Sequence, residues 1–190
     1  VEPQEIGKVL SLCAVSTVAG KRDYALLLLL WENALRRNEI HLCNCSDFDQ
    51  RKRRLKILGK GKVQHEVIHL SSKCSSAIAD WIKAAKLKPE SPLFIALDRC
   101  CYGGRLSGET IRAIVLKYFE NAGTPKKMSP HRVRHSSITA FLEATDGNLH
   151  RAKNLSRHAS FDTLKIYDDN RRRDSEQREA SELLSGLVDF

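Results

Sequence analysis

Eight consecutive residues, Tyr24-Ala25-Leu26-Leu27-Leu28-Leu29-Leu30-Trp31, constrain this chain most. A helix built from them is apolar on every side, so it must be central and fully buried. Ala25 to Trp31 is far too short to span a bilayer. The other parts of the 190-residue chain must therefore wrap around this segment. That length fits one domain, residues 1–190, able to bury a core without disulfide or metal staples.

Charge narrows the partners. Lys and Arg total 32 against 23 Asp and Glu, a net charge of +9. A globular domain this basic has a polyanion as its first candidate ligand. The start Val1-Glu2-Pro3-Gln4-Glu5 lacks the basic and apolar segments of a signal peptide, so neither secretion nor a membrane partner is expected. Six cysteines occur, at 13, 43, 45, 74, 100 and 101. His41-x-Cys43-x-Cys45 has the look of a zinc ligand set, but no second pair lies at knuckle spacing. Free thiols in a reducing cytoplasm, with no metal, are the expected state.

The remaining pattern predicts a mainly α fold with one small antiparallel β-sheet, an α+β class. Residues 3–17 are weakly helical. The buried helix runs from Tyr24 to Leu35, and a short one follows from Arg37 to Cys43. Between Ser46 and Leu70, partial period-2 alternation predicts a sheet with a hairpin tip near 59–63, where Gly59-Lys60-Gly61-Lys62 interrupts it. An amphipathic helix follows at 75–86. Ser107 is a candidate N-cap for a helix to Asn121, stopped by Gly123. Ser129-Pro130 opens a helix to about Ala144. Short helices are predicted at 148–156 and 160–166. A separate tail helix at about 174–187 carries Ala180, Leu183, Leu184 and Leu187 on one stripe.

Basic residues cluster. Arg51, Lys52, Arg53, Arg54, Lys56, Lys60 and Lys62 fall in a stretch free of acids. Lys126, Lys127, His131, Arg132, Arg134 and His135 form a second set. Arg151, Lys153, Arg157 and His158 form a third, and Arg171-Arg172-Arg173 a fourth. One such run is ordinarily a solvated face; four in one small domain point to nucleic acid. In Ser129-Pro130-His131-Arg132-Val133-Arg134-His135, His131 and Arg134 lie three apart on a helix and share a face. Such a pair suits a phosphate: the Arg fork donates, and the His donates or accepts a proton.

With His158 in Leu155-Ser156-Arg157-His158 and Tyr167 in Lys165-Ile166-Tyr167, residues 129–167 resemble the C-terminal motif block of the tyrosine recombinases, or phage integrases. Asn33-Ala34-Leu35-Arg36-Arg37-Asn38-Glu39-Ile40 is similar to that family's first arginine box. Leu58-Gly59-Lys60-Gly61-Lys62 is similar to its lysine hairpin. These boxes keep the family's order from about residue 20 to 170. The resemblance implies Arg36 as the first catalytic arginine, with Arg37 its neighbour, and Lys60 as the hairpin lysine, with Lys62 as the fallback in a different register. It further implies His131 and Arg134 as the His-x-x-Arg pair, His158 as the later histidine and Tyr167 as the nucleophile. Ala34 and Arg157 stand where the family usually has glycine, which puts local backbone geometry in question.

The resemblance implies strand exchange on double-stranded DNA target sites through a 3′-phosphotyrosyl intermediate, without metal, ATP or other cofactor. Arg51, Lys52, Arg53, Arg54, Lys56, Lys62, Lys126, Lys127, Arg132 and Arg157 would supply DNA contacts. A homotetramer on DNA, a monomer without it, and a nucleoid-associated cytoplasmic setting in a prokaryote or mobile element are expected. The tail helix would dock on a neighbouring protomer. The family's usual N-terminal core-binding domain is not expected within residues 1–190, and the chain is expected to be a catalytic fragment or a minimal recombinase. Three rivals remain at this level: an inactive DNA-binding module of the same fold, a topoisomerase IB-like nicking-closing enzyme, and a helix-turn-helix transcription factor.

Overall fold

A computed structural model describes residues 1–59, 61, 63–157 and 160–186, with the backbone alone at Thr163 and at 166–175. It divides into two compact units, Val1–Ser136 and Ser137–Phe190.

The first unit is built around the leucine run. Helix α1 spans Pro3–Ser11 and α2 spans Val18–Glu32. Ala25 through Leu30 are each no more than 3% exposed. The helix begins earlier than the apolar run suggests, because the Thr17 hydroxyl accepts from the Gly20 amide and caps it. Its polar lead is also buried. Arg22 Nε donates to Asp23 Oδ1 at 2.9 Å, and the Tyr118 hydroxyl donates to Asp23 Oδ2 at 3.2 Å. The weak helical pattern at 3–17 resolves into α1 and a turn.

Helix α3, Arg37–Leu42, leads through a 3-10 turn to a three-stranded antiparallel sheet. Strands β1 (Phe48–Asp49), β2 (Arg54–Leu58) and β3 (His65–His69) lie in that order. Leu55 pairs with Ile68 and Ile57 with Glu66. Leu55 and Ile57 face the core, while Arg54 and Lys56 point out, as the alternation requires. Helix α4, Ser72–Ala84, packs on α2. It starts three residues before the predicted 75 because Ser71 caps it, accepting from the Cys74 amide at 3.0 Å. Trp81 of α4 is fully buried and donates to the Leu93 carbonyl at 2.7 Å.

Helix α5 covers Gly108–Asn121. Its Ser107 cap accepts from the Thr110 amide at 3.0 Å. Gly123, at φ 75°, closes it with the Thr124 amide bonded to the Phe119 carbonyl. Helix α6, Pro130–Glu143, carries Val133 into the core of the first unit.

In the second unit, α7 spans Leu149–Ser156 and packs against α8, Asp162–Gly186. Ile138, Leu142, Ala152 and Leu164 are fully buried. Two predicted helices, 160–166 and 174–187, are in fact one of 25 residues. No Gly or Pro interrupts 162–185, and Arg, Glu, Gln and Ala are good helix formers, so nothing breaks the helix where the apolar pattern lapses. Leu183 and Leu184 are 66% and 64% exposed. Leu187 lies outside the described residues.

Candidate active site

The segment between α2 and α3 places the first arginine. Ala34 is fully buried at φ 46°, a left-handed backbone that turns the chain sharply out of α2. This is one of the two positions where the resemblance expects glycine, and the conformation explains why: only glycine reaches it without cost. Arg36 follows in extended conformation at the N-cap of α3. Glu39, 1% exposed, holds it twice. Oε2 accepts from the Arg36 amide at 2.8 Å and Oε1 from Nη1 at 2.7 Å. The carboxylate thus caps α3 and fixes the guanidinium with one side chain.

Arg134 comes from the first turns of α6 and is 3% exposed. Its Nη1 donates to the Ala34 carbonyl, two residues before Arg36. The two arginines are therefore tied to the same short backbone segment. His131, one helical turn before Arg134, is exposed. Arg36, His131 and Arg134 line one cleft of about 600 Å³, with Arg37, Glu39, Arg112 and the hairpin residues Leu58, Gly59 and Gly61. Next to them, burial, His131 and the terminal amine hold the His135 imidazole below its ordinary pKa.

The structure brings together three of the six predicted catalytic residues. Lys60 and His158 lie outside the described residues, as does Lys62. Tyr167 lies on α8, with only its backbone described. The DNA-contact candidates separate by setting. Arg51, Lys52 and Arg53 are exposed in the β1–β2 turn, with Arg54 and Lys56 on the outer face of β2. Lys126 and Lys127 are exposed before α6, and Arg132 donates to the Lys127 carbonyl at 2.6 Å. Arg157 is half-buried at φ 55°, ends α7, and donates to the Leu155 carbonyl at 2.7 Å. It is the second site where glycine was expected, and again the backbone is left-handed.

The zinc-like segment has other work. His41 Nδ1 donates to the Leu106 carbonyl at 2.9 Å. Burial pushes the thiols of Cys43 and Cys45 up to about 12 and about 11. Among the described residues, no group of three or more His, Cys, Asp or Glu side chains is placed to hold a metal ion. None of the described helices is long and apolar enough to cross a membrane.

Sequence reasoning missed the anchors. Glu39 gave a signal, an acid three residues after a helix-entry arginine, but its burial was not readable. Arg105 gave none: its fork takes the His41 and Cys43 carbonyls and Asn44 Oδ1 at 2.7, 3.0 and 2.6 Å, pinning the exit of α3.

Compared with known proteins, residues 1–173 match the phage integrase family. The chain belongs to that family. It is 43% identical over 189 residues to a tyrosine recombinase of Synechocystis sp., covering 99% of this chain and 60% of the relative. It is 44% identical over 188 residues to a tyrosine recombinase of Synechococcus elongatus, covering 98% and 58% respectively. The chain thus spans about 60% of the length of these curated relatives. The fold resembles that of XerA recombinase (TM-score 0.74, 22% identity, 94% of this chain and 64% of that one). It also resembles XerH recombinase bound to palindromic difH substrate (TM-score 0.75, 20% identity, 95% and 52%).

Proposed function

We propose that this member of the phage integrase family is the catalytic part of a site-specific DNA recombinase that breaks and rejoins strands through a phosphotyrosine. The observation that carries the reading is the convergence of Arg36, His131 and Arg134 on one cleft beside the β2–β3 hairpin. Two guanidiniums fixed in advance match the charge that builds on the non-bridging oxygens of a phosphodiester under attack.

In this reading the Tyr167 phenol oxygen attacks phosphorus and the bond to the 5′-oxygen breaks, leaving a 3′-phosphotyrosyl ester. The phenol has an ordinary pKa of about 10, so its proton must leave during attack. His131 is the acceptor. Lys60, which lies between β2 and β3 in the sequence, returns a proton to the departing 5′-oxygen, and His158 adds a donor to the phosphate. The ester conserves the bond energy, so the reverse attack by another 5′-hydroxyl rejoins the strand without ATP.

The partner is double-stranded DNA, gripped outside the cleft by exposed Arg51, Lys52, Arg53, Arg54 and Lys56. The active assembly is a homotetramer on DNA, with the free chain monomeric. Exposed Leu183 and Leu184 of α8 would dock on a neighbouring protomer.

Trapping tests the chemistry. Wild type and Tyr167→Phe are incubated with a pool of nicked duplexes in EDTA and quenched with SDS. A covalent protein–DNA adduct formed only by wild type is the expected result. An adduct that survives the substitution removes Tyr167 as nucleophile. DNA binding without any adduct favours an inactive module.

A further inference from the structure

We propose that Arg37 and Arg112, bridged by Glu109, form a second phosphate subsite on the rim of the cleft, taking a backbone phosphate beside the reacting one. The proposal rests on reading the cleft as a DNA site.

Arg37 opens α3 immediately after Arg36, and Arg112 projects from the second turn of α5. Both line the same cleft as Arg36, His131 and Arg134. Arg37 Nη1 lies 3.0 Å from Glu109 Oε1, and Arg112 Nη1 lies 3.8 Å from Glu109 Oε2. One carboxylate is thus shared between two guanidiniums. A phosphate offers the same sign of charge and more oxygens in the same place, and arginine forks suit it at least as well.

Exposure separates this cluster from the arginine next door. Glu39 is 1% exposed, so its pair with Arg36 is shielded from water and from competing ions. The Glu109 side chain is 75% exposed, and those of Arg37 and Arg112 are 41% and 48%. An ion pair this solvated contributes little and can exchange partners. A DNA phosphate arriving there also releases condensed counterions, which favours it over the carboxylate.

Gly108 supports the geometry. A Cβ there would stand 3.1 Å from Arg37 Nε and 3.3 Å from Cζ, so its absence lets the guanidinium lie against the first turn of α5. Two successive arginines therefore have different partners: Arg36 a permanent internal one, Arg37 a replaceable one. Glu109 competes with DNA for the rim arginines and is displaced when a phosphate arrives.

The test is a salt series of anisotropy titrations of the full chain on a fluorescent random-sequence duplex. Arg112→Gln should weaken binding several-fold and flatten the log–log salt slope by about 1. Glu109→Gln should do the opposite in affinity, tightening binding several-fold, because the competing carboxylate is gone. Melting temperatures report folding separately and should stay at the wild-type value, since all three side chains are solvated. Wild-type affinity and slope in Arg112→Gln, or weaker binding by Glu109→Gln, overturns the subsite alone. Failure of the wild type to bind the duplex overturns the functional reading and the subsite with it.

Discussion

Two groups of arginines in this chain look alike in sequence and differ in structure. Arg51, Arg53 and Arg54 stand in an unbroken basic run and are exposed. Arg36 and Arg134 are fixed: one by a buried carboxylate, the other by the carbonyl of a strained turn. The first group can follow a phosphate backbone wherever it runs. The second can hold one phosphate in one orientation. On the proposed function, density of charge marks affinity, whereas the partner of each charge marks the reacting centre.

The largest expected effect comes from removing a fixed arginine. Arg134→Ala should slow covalent adduct formation by about 10²–10³-fold, the usual cost of losing one prepositioned donor to developing charge. Single-turnover trapping at saturating DNA measures it. A loss confined to affinity would erase the distinction between the groups.

Glu39→Ala sharpens the comparison, because it removes the anchor and leaves the arginine. Glu39 is 1% exposed but the Arg36 side chain left behind is 30% exposed, so the loss costs about 1–3 kcal/mol and the melting temperature should fall. Adduct formation at a permissive temperature should fall as well. Glu39→Asp, a shorter carboxylate, should recover more stability than rate, which a purely structural role would not predict.

Arg51→Gln with Lys52→Gln should act on affinity alone. Each neutralised contact removes about 1 from the salt slope, and the adduct rate at saturating DNA should not change. Titration over a salt series, followed by trapping, checks both halves.

The smallest effect concerns the turn that supports the fixed group. Ala34→Gly should change stability by less than about 1 kcal/mol, since relief of the left-handed backbone is offset by the loss of a fully buried methyl and the added chain entropy. Chemical denaturation measures it. Arg157→Gly, at the equivalent backbone, gives up the bond to the Leu155 carbonyl instead of a buried methyl, and its change should be equally small.

Much of this was legible because it is local. The leucine run announced its burial, Ser107 and Gly123 bounded α5, and the His131–Arg134 spacing placed both on one helix. The anchors were not legible because their partners are distant in the chain or depend on burial. Arg134 meets a carbonyl 100 residues away, and Arg105 reaches back more than 60. The burial of the polar pair Arg22–Asp23 was not legible either, because the Tyr118 hydroxyl and the Ile95 carbonyl that complete its bonds are distant in the chain. Helix α8 reads as two helices because its apolar stripe lapses, although helix propensity keeps it whole.

The central claim is that Arg36 and Arg134 neutralise the phosphate attacked by Tyr167. The most direct measurement replaces that phosphate, at the site located by sequencing trapped DNA, with an uncharged methylphosphonate. The substituted duplex is then given to Arg134→Ala. The account predicts that cleavage returns, because the charge that required the arginine is gone, and that Tyr167→Phe stays inactive on the same duplex. Arg134→Ala remaining as slow on methylphosphonate as on phosphate, while wild type cleaves both, would contradict it.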